Sequence, residues 1–217
     1  MEKAYKNTGY FMLLLIPAVL AGFYVTYFSH LSDFSEGFTA LTNGKITIFH
    51  HLHATLATLW ILLLVAQPLL IRYGKFKIHK TIGKTTYLLF PLLIISFILL
   101  ILNILKSANP IRAYGVISNT LMLILFYSFA VNNKKYTPIH MRYMIATAFS
   151  FLGPPIGRFG VFIMGMQPKI INNSVYIIVY LILTGLILLD KKHGKNFKPF
   201  ILVFAVWVIR QIVYNII

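Results

Sequence analysis

The sequence predicts an all-α membrane bundle of seven transmembrane helices forming one domain over residues 1–217, N-terminus in the cytoplasm and C-terminus outside. Three observations carry this. Hydrophobic residues make up 59% of the chain and charged residues 11%, less than half the ~25% charged of soluble domains. The apolar residues fall into seven runs, at 10–28, 48–71, 86–105, 113–131, 141–163, 174–190 and 199–217, each near the ~20 residues that cross a hydrocarbon core. Basic residues collect in alternate connections: Lys3 and Lys6; Arg72, Lys75, Lys77, Lys80 and Lys84; Lys134, Lys135 and Arg142; Lys191, Lys192, Lys195 and Lys198. An excess of Lys and Arg marks cytoplasmic loops and sets the orientation.

The first run continues past Pro17 into aromatic residues and lacks a small-residue cleavage pattern, so it reads as a retained helix rather than a signal peptide. Next comes "SHLSDFSEGFTALTNGK", 29–45, the longest polar connection, with Asp33 and Glu36; it reads as an outer loop. The second run opens "FHHLHATLATLW", and steps of three and four place His50, His53, Ala57, Trp60, Leu64 and Gln67 on one helical face. "IHKTIGKTTY" sets His79 just before the third run, and Asn119 lies in the fourth. The fifth opens "IHMRYM" and aligns His140, Met144, Thr147, Phe151, Pro154 and Arg158, the last 18 residues beyond the first, or roughly 27 Å along a helix axis. Within it "GPPIGRFG", 153–160, predicts a kink or opening just before Arg158. The seventh run carries Trp207, Arg210 and Tyr214 on one face. The remaining connections are short, which favours antiparallel neighbours in a single bundle.

Several function classes fall away. A formal charge of +16 would point to nucleic acid in a soluble chain, but here the basic residues sit between apolar runs, where orientation and anionic headgroups account for them. The expected partner is the lipid bilayer, with room for a membrane-protein partner. The chain has no cysteine, which removes thiolate metal sites and cysteine nucleophiles. The last run holds no lysine for a retinal Schiff base. Glu2, Asp33, Glu36 and Asp190 lie in tails, loops or at a run's edge, which argues against carboxylate-bridged di-iron centres and carboxylate proton relays. HExxH and GxGxxG patterns do not occur.

The polar residues of the runs form two candidate groups. Toward the outside, His50 and His53 would rim a polar cavity that receives Arg158, Arg210 and Asn119, since an arginine at membrane depth faces the bundle interior, water or an anion. The competing explanation is interfacial: histidines satisfied by water, Arg158 snorkelling, Trp60 and Gln67 serving packing and interhelical hydrogen bonding. Toward the cytoplasm, His79 and His140 are each followed within two residues by a basic one and could grip haem iron axially, with Lys80 or Arg142 near the propionates. Headgroup contact explains the same pair.

"HHLHATLATLWILLLVAQPLLIRYGKFKIHKTIGKTTY" together with "IHMRYMIATAFSFLGPPIGRF" resembles a group of uncharacterised prokaryotic multi-helix membrane proteins, a domain of unknown function. The residues that match are His53, Trp60, Gln67, His79, Gly83, His140, Met144 and Arg158, over approximately residues 48–160. The resemblance implies a multi-pass protein of a prokaryotic inner or plasma membrane and names no activity. The layout is more distantly similar to b-type transmembrane cytochromes and to small membrane proteins that assist respiratory-oxidase assembly. Three functional readings stand. One is a redox or cofactor-handling protein binding haem or a quinone-like ligand through His53 and Arg158 or through His79 and His140, with Arg210 in the outer group. Another is a zinc-dependent membrane hydrolase built on His50, His53 and a third histidine such as His30. The last is a non-catalytic membrane or assembly subunit.

Overall fold

A computed structural model describes residues 2–30, 38–39, 44–45, 47–105 and 110–217. All seven apolar runs are helical, and five helices are long and apolar enough to cross a membrane: α3 (Ile48–Arg72), α4 (Phe76–Leu105), α5 (Pro110–Asn132), α8 (Pro168–Lys192) and α9 (Lys198–Ile216). The other two runs are interrupted. The first divides into α1 (Thr8–Leu13) and α2 (Leu15–Phe23). Pro17 lacks an N–H for the carbonyl four residues earlier and crowds it, so the break falls at Leu13 and Leu14. The fifth divides into α6 (Thr137–Phe149), α7 (Gly153–Arg158) and a π-helical turn, Phe159–Ile163. Asp33 and Glu36 of the first connection lie outside the described residues, which include there only a two-residue ladder, β1 (Phe38–Thr39) against β2 (Gly44–Lys45).

The kink expected before Arg158 is present, and its construction is legible bond by bond. Pro154 and Pro155 cannot donate to the carbonyls of Ser150 and Phe151. The chain responds by tightening: Ser150, Phe151 and Leu152 each donate to the carbonyl three residues back. Asn119 of α5 then supplies the donor that Pro154 lacks, its Nδ2 reaching the Ser150 carbonyl at 3.0 Å. Irregular backbone at membrane depth persists where protein re-satisfies it, and Asn119 does so here. Gly22 of α2 lies against the Pro155 backbone so closely that any Cβ would collide with it, which joins the two interrupted runs.

One difference from the sequence reading concerns α4. It begins at Phe76, ten residues before the apolar run, so His79 lies in its second turn and Lys77, Lys80 and Lys84 are on its exposed face. Gly74, with φ of 71°, makes the tight turn from α3, a conformation glycine adopts without strain.

Two apolar clusters meet at α5 and α6. In one, Trp60, Leu64, Phe90, Leu93, Leu123 and Tyr127 join the α3–α4 hairpin to α5. In the other, Phe126, Phe149, Val179, Leu183, Val203 and Trp207 join the α8–α9 hairpin to α5 and α6. Away from these contacts large apolar side chains such as Leu88, Leu121, Leu181 and Ile209 are exposed, the surface a lipid-facing helix presents.

A second difference is an ion cluster. Arg142 and Asp190 are both 0% exposed, not a loop orientation charge and an edge residue. Arg142 donates from Nε to Asp190 Oδ2 at 2.8 Å and from Nη2 to Oδ1 at 2.6 Å. It also pairs with Glu2 at 2.9 Å and donates to the Pro138 carbonyl at 2.8 Å. Tyr5 donates its hydroxyl to Asp190 Oδ1 at 2.7 Å and stacks on Phe200. Burial, and then the hydrogen bond to Asp190, push the Tyr5 phenol well above its usual range. A two-pronged Arg–carboxylate pair with its remaining donors satisfied is the geometry in which a buried pair recovers its desolvation cost. The N-terminal segment, α6, α8 and α9 are thereby fastened at one end of the bundle.

Arg142→Met strands Asp190 without its cation, and the thermal midpoint of detergent-purified protein should drop by the equivalent of about 3–5 kcal/mol. Adding Asp190→Leu should recover much of that loss; a single variant that melts like wild type would show that the pair contributes no net stability.

Candidate functional site

The α3–α4 hairpin, α1, α5 and α6 enclose a cavity of about 170 Å³ lined by Gln67, His79, Gly83, Thr86, Tyr127, Lys134, His140 and Met144, among others. His79 and His140, proposed as a pair from sequence alone, open on the same space, and His140 is near enough for its charge to act on His79. Apolar side chains of Leu63, Ile71, Val131 and Ile145 supply the other walls. Pro68 also lines the cavity and cannot donate to the carbonyl of Leu64, another lining residue.

The hydrogen bonds of the two imidazoles differ in polarity. Gln67 reaches across from α3 to the α4 backbone. Its amide oxygen accepts from the Gly83 N–H at 3.2 Å, while its nitrogen donates to the His79 carbonyl at 3.2 Å and to His79 Nδ1. The reversed amide would set donor against donor at Gly83 and acceptor against acceptor at the His79 carbonyl. With Nδ1 accepting, the neutral His79 ring carries its proton on Nε2 and offers a donor. His140 is the opposite: its Nδ1 lies 2.8 Å from the Ala130 carbonyl, which can only accept, so Nδ1 holds the proton and Nε2 offers a lone pair. Tyr127 donates to Thr86 Oγ1 at 3.0 Å, and Thr86 donates on to the Gly83 carbonyl at 2.6 Å. Lys134 donates to Tyr87 at 3.1 Å at the rim.

The outer candidates divide. The Thr47 N–H donates to His50 Nδ1 at 3.1 Å, so the side chain of His50 closes the first turn of α3 as part of a capping box. His51 Nδ1 lies 2.8 Å from the Tyr27 hydroxyl. His53 lies 3.0 Å from Ser96 Oγ and edge-on to Phe97. The Ser96 proton goes to the Leu93 carbonyl at 2.6 Å, so His53 donates from Nδ1 and keeps a lone pair on Nε2. Arg158 lies close enough for its charge to act on both His50 and His53. Arg210 is held elsewhere, by Ser118 at 3.0 Å and the Gly115 carbonyl at 3.4 Å, with its guanidinium over the rings of Trp207 and Tyr176. Asn119 serves the α6–α7 break. Arg210 and Asn119 thus have partners of their own, none of them His50, His53 or Arg158.

The inner pair does not suit haem as it stands. Iron needs a lone pair from each histidine, whereas His79 Nε2 bears a proton. A cavity of about 170 Å³ is also of the size that admits a single aromatic ring, not a porphyrin. For zinc, no group of three His, Cys, Asp or Glu close enough to hold a metal occurs among the described residues; the side chain of His30 lies outside them.

Sequence reasoning reached both histidines of the cavity but missed what orients them. Gln67 was legible as an interhelical hydrogen-bonder, yet its partner is α4 backbone, which has no sequence signature. No protein-family profile, no characterised protein and no solved structure matches this chain.

In protein labelled with ¹⁵N-histidine, nitrogen chemical shifts should report His79 as the Nε2–H tautomer and His140 as the Nδ1–H tautomer. Gln67→Leu should abolish the preference at His79 alone; finding both rings in one tautomer would undo the assignment.

Proposed function

We propose that this chain is a multi-pass protein of a prokaryotic inner or plasma membrane that binds a quinone-like ligand between His79 and His140, in redox work or respiratory-complex assembly. One observation carries the reading: two imidazoles of opposite hydrogen-bonding polarity open on one ring-sized, largely apolar cavity. A quinone carbonyl can only accept, and His79 Nε2–H is a donor. A quinol hydroxyl can donate, and His140 Nε2 is an acceptor. The pair therefore matches a head group that carries one carbonyl and one hydroxyl, the first accepting from His79 and the second donating to His140, and so favours the half-protonated form over the fully oxidised one, which would leave His140 Nε2 unpaired at a cost of about 1–3 kcal/mol. Met144 and the aliphatic walls complement the ring faces.

The seven-crossing topology, N-terminus cytoplasmic and C-terminus outside, belongs to the same reading. Its support is the gathering of Lys6, Arg72, Lys134 and Lys191 with the Arg142 cluster at the end that also holds the cavity. A quinone head group would then bind in the cytoplasmic half of the membrane. The zinc-hydrolase reading has less behind it, since His50 accepts the Thr47 N–H at Nδ1 and so carries its proton on Nε2, which leaves His53 alone with a lone pair to offer.

Titrating a short-chain 1,4-benzoquinone should quench the fluorescence of Trp60, which packs on the cavity residue Tyr127. His79→Ala and His140→Ala should each weaken binding about tenfold, while His193→Ala, at an exposed site beyond α8, should not. Absence of saturable quenching would return the chain to the reading of a ligand-free assembly subunit, and a haem spectrum lost in both alanine variants would replace the quinone.

With no native cysteine, Glu36→Cys and Lys135→Cys give single labelling sites. An impermeant maleimide added to intact cells should label position 36 and spare position 135; the reverse pattern would invert the orientation.

A further inference from the structure

Of the described residues that line the cavity between His79 and His140, Tyr87, Lys134 and Thr137 are the exposed ones. They mark its mouth, between α4 and the turn from α5 to α6. Lys134 follows the lining residues Tyr127 and Val131 at steps of four and three, so the cavity face of α5 leads out to its ammonium. That ammonium donates to the Tyr87 hydroxyl at 3.1 Å and lies 5.4 Å from the centroid of the same ring. An ammonium has three donors, and a phenol is the partner that Lys134 finds among the described residues. The described side-chain carboxylates, Glu2 and Asp190, are both committed to Arg142. A full positive charge therefore stands at the mouth of a largely apolar cavity with no described side-chain carboxylate to balance it.

With the histidines, the cavity presents two donors, His79 Nε2–H and Lys134, and one acceptor, His140 Nε2. A quinone has two equivalent oxygens, which become different only when the ring is half reduced. A hydroxyaryl carboxylate has that asymmetry in its stable form. Its ionised carboxylate only accepts, through two oxygens, and its phenolic hydroxyl donates. The carboxylate also brings the negative charge that Lys134 lacks, which a neutral carbonyl does not.

We propose, resting on the reading of the cavity as a single-ring site between His79 and His140, that its ligand is a hydroxyaryl carboxylate and that Lys134 selects the charge. The mouth then reads the carboxylate, and the buried imidazoles fix which way round the ring enters.

Calorimetry on the detergent-purified full chain compares 4-hydroxybenzoate with its methyl ester, the same ring without the charge. The acid should bind about fivefold more tightly, the upper range for an ion pair open to water. Lys134→Gln should remove that preference and leave the ester unchanged, and Lys134→Arg should keep it. Lys135→Gln, exposed beside it but outside the cavity lining, should not alter it, and His140→Ala should weaken acid and ester alike. Equal affinities for acid and ester, binding of neither, a preference that survives Lys134→Gln, or one that Lys135→Gln removes equally would overturn the proposal. Benzoquinone, which carries no charge for Lys134 to read, separates the two readings. If it still quenches, the carboxylate alone is wrong; if quenching is absent as well, so is the single-ring site.

Discussion

The burial of Arg142 against Asp190 constrains everything at the basic end of the bundle. Two full charges removed from water require close, multiply bonded geometry, and that geometry fixes α6 against α8 to within the length of a hydrogen bond. Glu2 and Tyr5 extend the requirement to the N-terminal segment, and Phe200 carries it to α9. The N-terminal segment in turn leads into α1, where Arg72 donates to the Lys6 carbonyl and lies over the Tyr10 ring. Thr8 and Met12 of α1 are cavity residues. A salt bridge that is not itself among the cavity's lining residues thus positions one wall of the candidate site.

Proline placement does comparable work within the membrane. Pro154 and Pro155 remove two donors, the chain tightens, and Asn119 takes the exposed Ser150 carbonyl. The break redirects the chain so that Arg158 departs from the line of His140 and Met144 and meets Phe23 instead. A continuous helix would keep all three on one stripe. The same interruption therefore leaves His140 and Met144 at the cavity and Arg158 against α2.

The histidines illustrate how a shared residue type acquires different chemistry. His50 caps a helix, His53 leans on a serine whose proton is already committed, His79 receives an amide and His140 donates to a carbonyl. In each case the partner fixes which ring nitrogen carries the proton. One free donor and one free lone pair complement a group that presents one carbonyl and one hydroxyl. Two rings that both presented lone pairs would suit a metal.

Composition and periodicity determined the helical, apolar character of this chain, the interruption at Pro154 and Pro155, and the placing of His79 and His140 at one end of the bundle, whereas the break before Pro17 was not foreseen. These are local properties: apolar run length, missing amide protons and residues repeated at helical spacing. Tertiary structure alone decided that Asp190 is a buried counter-ion, that α4 starts ten residues before its apolar run, and that Arg210 stands apart from Arg158. Each depends on which helix lies alongside. An acidic residue at the edge of an apolar run looks solvent-exposed until a partner arginine arrives from another helix, 48 positions away in this case. Gln67 makes the point most directly, because its partner is the backbone of α4, and backbone has no side chain to read in a sequence.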